Sequence, residues 1–366
     1  MKAYIVTFAA LAGLSACAAG TSPPAQGSIT QNTTVPVLAE AWHTVRDTLD
    51  NIDSPAVWHG PNGEHWVLAT AKYTDVLVVY DANTGETLRR AGGTGAGPGQ
   101  MDRPNGVAVI DDLAIVVERD NHRVQVFRMP EFTSLGTFGD TLLVLPYGIA
   151  VHPTGRDGEY MLYVTDNYEQ SDDMIPPDSL LDRRVRQFRM RVSGESVSAE
   201  HVRAFGETSG PGVLKVVESI AADTAHDRLM IAEELEIASH IKVYDLDGDF
   251  TGTIIGEGMF PHQAEGIILY ECGASDGYWI TTDQDRVVNT FHLFDRVSLA
   301  HVGSFRGELT RNTDGIALSQ RGFGDFPNGI VVAVHDDGSV AAFKWDAIAA
   351  ALGLRTCPAP VSGTGS

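Results

Sequence analysis

After Asp50 the apolar positions fall in short runs of four or five residues bounded by turn formers, without sustained helical spacing until the C-terminus. One unit recurs along the chain: an apolar strand, a polar tight turn, then a second strand closing on an aromatic. Its copies are residues 66–70 with 77–80, 113–117 with 124–127, 161–164 with 185–188, 229–232 with 241–244, 278–281 with 291–294, and 330–333 with 340–343. Copies at roughly 50-residue spacing match the period of propeller blades. Turn formers such as Asp81-Ala82-Asn83-Thr84-Gly85 lie between them, and residues 106–109 and 147–151 supply innermost strands whose small side chains suit a crowded axis. The pattern predicts an all-β chain, a six-bladed β-propeller in which radial repetition leaves only short sheet edges. One short C-terminal helix, Trp345–Leu352, is expected on the outside.

Composition refines this picture. Hydrophobic residues make up 43% and charged residues 20%, ordinary for a folded chain. The net charge of -22 repels nucleic acid and anionic surfaces, which argues against a DNA or RNA role. It also repels a phosphorylated ligand unless a bound cation intervenes, although acidity of this kind serves solubility equally well. The N-terminus carries Lys2, an apolar stretch over 3–14, and then Leu14-Ser15-Ala16-Cys17, which has the form of a bacterial lipobox. Residues 1–17 are read as a lipoprotein signal peptide with Cys17 the lipidated residue. Residues 18–38 are read as a flexible tether, 39–357 as the propeller and 358–366 as a disordered tail. The chain is then exported to the cell envelope, lipid-anchored at a periplasmic face or outer membrane, and a monomer. With Cys17 consumed, Cys272 and Cys357 are left as one disulfide or as two free thiols.

Several runs carry chemistry. Asp245-Leu246-Asp247-Gly248-Asp249 begins like a calcium loop but lacks the terminal glutamate, and reads as a hairpin turn. Residues 97–109 and 120–127 resemble a blade of the NHL-repeat propellers. A longer resemblance is built from Asp53-Ser54-Pro55-Ala56-Val57-Trp58, from residues 218–223 with 229–234, from Ala264-Glu265-Gly266-Ile267 with Tyr270, and from Thr313-Asp314-Gly315-Ile316. These motifs, with the closing segment 343–353, resemble in order the calcium-dependent β-propeller phytases over almost all the chain after residue 45.

That resemblance implies a calcium-dependent phosphomonoesterase acting on phytate (myo-inositol hexakisphosphate) or related phosphate esters by attack of a metal-activated water. It implies Ca2+ ligands at Asp53, Asn105, Glu218, Glu234, Glu265, Gln284, Asp314 and Asp336. Of these, Glu218, Glu234, Glu265 and Asp314 would serve catalysis, while Lys72, Arg119 and Tyr147 would contact the phosphate. Each has a plainer alternative: Asp53 as a turn cap, Asn105 as a turn residue before Gly106, Glu234 as part of an acidic edge, Lys72 and Arg119 as loop charges. Glu265 and Asp314 stand out because each sits in an apolar, glycine-flanked context where a free carboxylate is costly. The chain also departs from the family. Ser54 replaces an aspartate, Tyr73 a second lysine, Gln263 an aspartate, and Thr224-Ala225 an acidic pair, while Asp166 and Asn167 lie about where another substrate lysine belongs. Fewer carboxylates and lysines weaken the fit to a highly phosphorylated substrate. A non-catalytic, NHL-like lipoprotein that displays its propeller face to a partner is the alternative. A lactonase-like six-bladed propeller shares only the fold and a calcium-centred channel.

Overall fold

Four-stranded antiparallel sheets form because each repeat alternates side chains between two neighbouring blades, and both faces must be buried. The computed structural model describes residues 34–359 apart from 172, 173, 236 and 238. The segment read as a signal peptide, with Cys17, the stretch read as a tether up to residue 33, and residues 360–366 lie outside the described residues.

Six sheets make the ring. Blade 1 is Ile52–His59, His65–Ala71, Val76–Asp81 and Thr87–Gly92. Blade 2 is Pro104–Ile110, Leu113–Glu118, Arg123–Arg128 and Thr133–Phe138. Blade 3 is Pro146–Pro153, Glu159–Asp166, Val185–Ser193 and Ser196–Phe205. Blade 4 is Ile220–Asp223, Arg228–Glu233, His240–Tyr244 and Phe250–Ile255. Blade 5 is Gln263–Cys272, Asp276–Gln284, Thr290–Asp295 and His301–Gly307. Blade 6 takes Ile316–Ser319, Ile330–His335 and Ser339–Lys344 from the end of the chain.

Its fourth strand comes from the other end. Trp42–His43 pairs antiparallel with Ser339–Lys344, which latches the last blade to the first. Trp42 Nε1 donates to the Ala82 carbonyl at 3.0 Å, tying the latch to blade 1. Val37–Leu38 adds a short parallel strand to the outside of blade 5. Composition had placed these two residues in the tether, but their backbone is hydrogen-bonded, so the ordered body begins earlier than residue 39.

Each interface between blades holds its own apolar cluster. Val78, Val332 and Ile330 pack in one interface, and Ile115, Leu162 and Phe188 in another. The expected helix Trp345–Leu352 forms, buries Trp345, Ile348 and Ala349, and stops at Gly353 with φ 67. Trp345 stacks on Tyr270 at 3.6 Å between ring centroids. Cys272 and Cys357 are joined as a disulfide, so the segment after the helix is pinned to blade 5. The aspartate-rich run 245–249 is a hairpin turn, with Gly248 N–H donating to the Asp245 carbonyl at 3.1 Å. No helix among the described residues is long and apolar enough to cross a membrane.

Candidate metal and anion site

Each innermost strand starts at the same end of the channel, and a polar residue precedes a serine or glycine there. The pairs are Asp53-Ser54, Asn105-Gly106, Tyr147-Gly148, Glu218-Ser219, Glu265-Gly266 and Asp314-Gly315. The small members line the axial channel, followed by Pro55, Val107 and four isoleucines that make it apolar below. The glycines let neighbouring blades touch: a Cβ on Gly148 would collide with the Glu218 carbonyl oxygen, and one on Gly315 would lie 2.6 Å from the Asp53 carbonyl oxygen. The polar members therefore converge. Asp53, Tyr147, Glu218, Glu265 and Asp314 line one small chamber of about 20 Å³ at the mouth.

A second circle comes from the ends of the second strands: Lys72, Arg119, Asn167, Glu234, Gln284 and Asp336. Threonines near these ends hold the first circle in place. Thr70 donates to the Asn105 carbonyl at 2.6 Å and Thr165 to the Glu218 carbonyl at 2.9 Å.

Charge divides this mouth. Glu218, Glu234, Glu265 and Asp314 come from blades 4 to 6; Lys72, Arg103, Arg119 and Tyr147 come from blades 1 to 3. One oxygen from each of Glu218, Glu234 and Glu265 lies within 4.8 Å of the other two. Lys72 Nζ sits 2.6 Å from Asp53 Oδ1 where the halves meet. Burial raises the Glu218 carboxyl to about 8, reinforced by Asp53 and opposed by Lys72. Burial likewise raises Glu234, with Glu265 and Glu218 adding repulsion. Glu265 is raised by burial and then by Glu218 and Asp314. Asp314 is raised by burial against the pull of Lys72, with Asp53 and Asp337 pushing the same way as burial. Burial acts to lower the Lys72 ammonium, but Asp53, Asp314 and Glu218 outweigh it and hold the proton firmly.

The donors fit a hard cation. Calcium takes oxygens at about 2.3–2.6 Å, so oxygens sharing one ion lie no more than about 5 Å apart. The three glutamates satisfy that limit, and the cluster holds neither histidine nor cysteine, which disfavours zinc. Glu234 Oε1, Asp314 Oδ2 and both side-chain atoms of Asn105 are buried without a hydrogen-bond partner. Such atoms are costly in an apolar setting unless something else satisfies them. Gln284 donates to Asp314 Oδ1 at 2.8 Å and so aims that carboxylate. Arg119 pairs with Asp120 at 2.6 Å and donates to the Tyr147 hydroxyl at 3.3 Å, putting both on the cationic side.

One assigned ligand does not join. Asp336 sits at φ 50, turned toward Arg46 at 2.5 Å and Arg311 at 3.4 Å, both on the outer rim. Its neighbour Asp337 lines the cleft above Asp314 instead. Asp166 is a structural group. It is fully buried and accepts Leu145 N–H at 2.8 Å beside Arg186. Glu233 plays the same part in blade 4, accepting Lys215 N–H at 2.8 Å and pairing with Lys242 at 3.0 Å, while the adjacent Glu234 faces the mouth. Sequence reasoning missed Arg103, Arg286 and Asp337. The only signal for Arg103 is its place two residues before Asn105.

Comparison with known proteins adds the following. Residues 101–127 match the NHL repeat. The match covers one blade, blade 2. The calcium-binding protein regucalcin of Agrobacterium tumefaciens C58 is similar in structure at 11% identity and a TM-score of 0.51, over 89% of this chain and 99% of that one. Kuenenia stuttgartiensis hydrazine synthase aligns at 12% identity and a TM-score of 0.44, over 80% of this chain and 79% of its own. No curated protein sequence matches the chain significantly. The likeness to regucalcin is a likeness of fold.

Proposed function

We propose that this propeller is a calcium-dependent phosphomonoesterase. The observation that carries the reading is the split mouth: three converging glutamates, Glu234 and Glu265 buried and Glu218 half-buried, stand against a lysine, two arginines and a tyrosine. Glu218, Glu234, Glu265 and Asp314 would hold calcium, with Asn105 and Asp53 at its edge. Calcium there would supply positive charge against phosphoryl oxygens and favour the ionised form of water. Lys72, Arg119 and the Tyr147 hydroxyl would bind and orient the phosphate through charge-assisted hydrogen bonds. The resemblance to β-propeller phytases and the calcium-binding neighbour support the choice of metal and ester. The test is phosphate release by the full chain from phytate and from simple phosphate monoesters, with calcium titrated against a chelator. Calcium-dependent release is expected; full activity in excess chelator, or no release from any ester, would sink the proposal. The NHL repeat over 101–127 favours a second reading, a binding propeller, which predicts no release under any condition.

Export belongs to the same proposal. A disulfide between Cys272 and Cys357 suits an oxidising compartment. Cys17→Ala is expected to move the protein from the detergent phase to the aqueous phase on partitioning; an unchanged distribution would count against the lipid anchor.

A further inference from the structure

Above the carboxylates opens a cleft of about 490 Å³. Three cations line it (Lys72, Arg103 and Arg286), and three carboxylates (Asp285, Asp314 and Asp337). The carboxylates are already engaged: Asp285 accepts Val287 N–H at 2.7 Å, Asp337 accepts the Asn312 amide at 2.8 Å, and Asp314 accepts Gln284. Lys72 already gives one of its three N–H donors to Asp53. Arg103 and Arg286 make no ion pair among the described residues, so two guanidinium groups remain for a ligand.

Such a cleft does not match a hexakisphosphate. At roughly -1.5 to -2 per phosphate, that ligand brings a charge on the order of -10 to a lining whose own charges cancel, which leaves only the calcium below to offset it. It does match one phosphate. At its lip stands Tyr73, 62% exposed, with the Arg103 guanidinium 5.5 Å from the ring centroid. Arg103 covers one face of the ring and holds its orientation, which leaves the opposite face to a flat ligand.

We infer that this cleft selects esters carrying a single phosphate on a body with a planar aromatic or heteroaromatic ring, the ring stacked on Tyr73 and Arg103 and Arg286 adding their charge to the hold of Lys72, Arg119 and Tyr147 on the phosphate. The inference rests on the phosphomonoesterase reading and narrows its substrate class.

Adenosine 5′-monophosphate and ribose 5-phosphate test it, because they share sugar, phosphate and leaving group and differ only in the ring. With the calcium-loaded full chain, kcat/KM is expected to favour the ring-bearing ester by on the order of tenfold, the scale of one base stacked on one aromatic. Phytate should fall below both. Tyr73→Ala should bring the ratio close to one, and Tyr73→Phe should keep it. A wild-type ratio near one, or faster release from phytate, overturns the inference and leaves the phosphomonoesterase reading intact. No release from any ester, with calorimetric binding of adenosine 5′-monophosphate that Tyr73→Ala abolishes, overturns the reading and supports the inference. Neither release nor binding overturns both.

Discussion

Saturating calcium raises the thermal midpoint of this chain by about 4 °C over the chelated protein, and Glu265→Gln abolishes the response. The size follows from linkage. A ligand at about a hundred times its Kd stabilises by ~2.7 kcal/mol. Unfolding entropy of about 2 cal/mol/K per residue converts that to about 4 °C for a propeller of this length. The sign has a structural cause. Glu218, Glu234 and Glu265 bring oxygens within 4.8 Å of one another; burial raises all three carboxyls, and repulsion from Glu218 adds to it at Glu234 and Glu265. A cation shared among them removes the repulsion and satisfies the orphaned Glu234 oxygen. Glutamine at 265 keeps the shape and loses the charge. Without calcium the variant should therefore melt above the wild type, and with calcium it should not move. Magnesium, which needs a regular octahedron and keeps its waters, should shift the wild type less than calcium does. Identical wild-type midpoints in calcium and in chelator, read by scanning calorimetry, would remove the case for a metal at this mouth.

The ring of site residues was legible in pieces. Asp53, Asn105, Glu218, Glu265 and Asp314 each precede a serine or glycine at the head of an inner strand, and that local signature survives in sequence because the channel demands small residues beside its polar mouth. The six strand pairs were legible for a similar reason, since alternation and turn chemistry repeat with the blade. What sequence could not show depends on contacts between distant segments. Trp42–His43 is too short to carry a period, and its partner Ser339–Lys344 lies some three hundred residues away, so nothing within the span read as propeller marked it as the latch. Asp336 matched a motif position, yet it pairs with Arg46 and Arg311, and Asp337 takes the inner place. Glu233 and Glu234 are indistinguishable by composition. The hydrogen bonds from Lys215 and Val216 N–H groups to Glu233 make it a structural clasp and leave Glu234 to the mouth. Arg103 lies in the NHL-like run, and only the packing of blade 2 against blade 1 places it over Tyr73.

Lys72→Met separates the two halves of the mouth and should have the largest single-residue effect. The Lys72 side chain is only 14% exposed, with Nζ 2.6 Å from Asp53 Oδ1, and its charge also acts on Asp314 and Glu218. Methionine fills most of the same volume and leaves those carboxylates without their nearest cation. Breaking a buried pair in this way costs about 3–5 kcal/mol, so the chelated variant should unfold at clearly lower urea than the wild type. Calcium should restore much of the difference, because the ion can take over the neutralising charge. Activity should not be restored. If the Lys72 ammonium also holds the phosphate, kcat/KM for phosphate esters falls by on the order of a hundredfold or more even where calcium has made the variant as stable as the wild type. Lys72→Arg, which keeps the charge, should retain stability and part of the activity. Urea denaturation with and without calcium, paired with kcat/KM at saturating calcium, separates these roles. A variant that regains both stability and turnover with calcium would make Lys72 a counter-ion for the carboxylates alone, and the anion would then have to be held by Arg103, Arg119 and Tyr147.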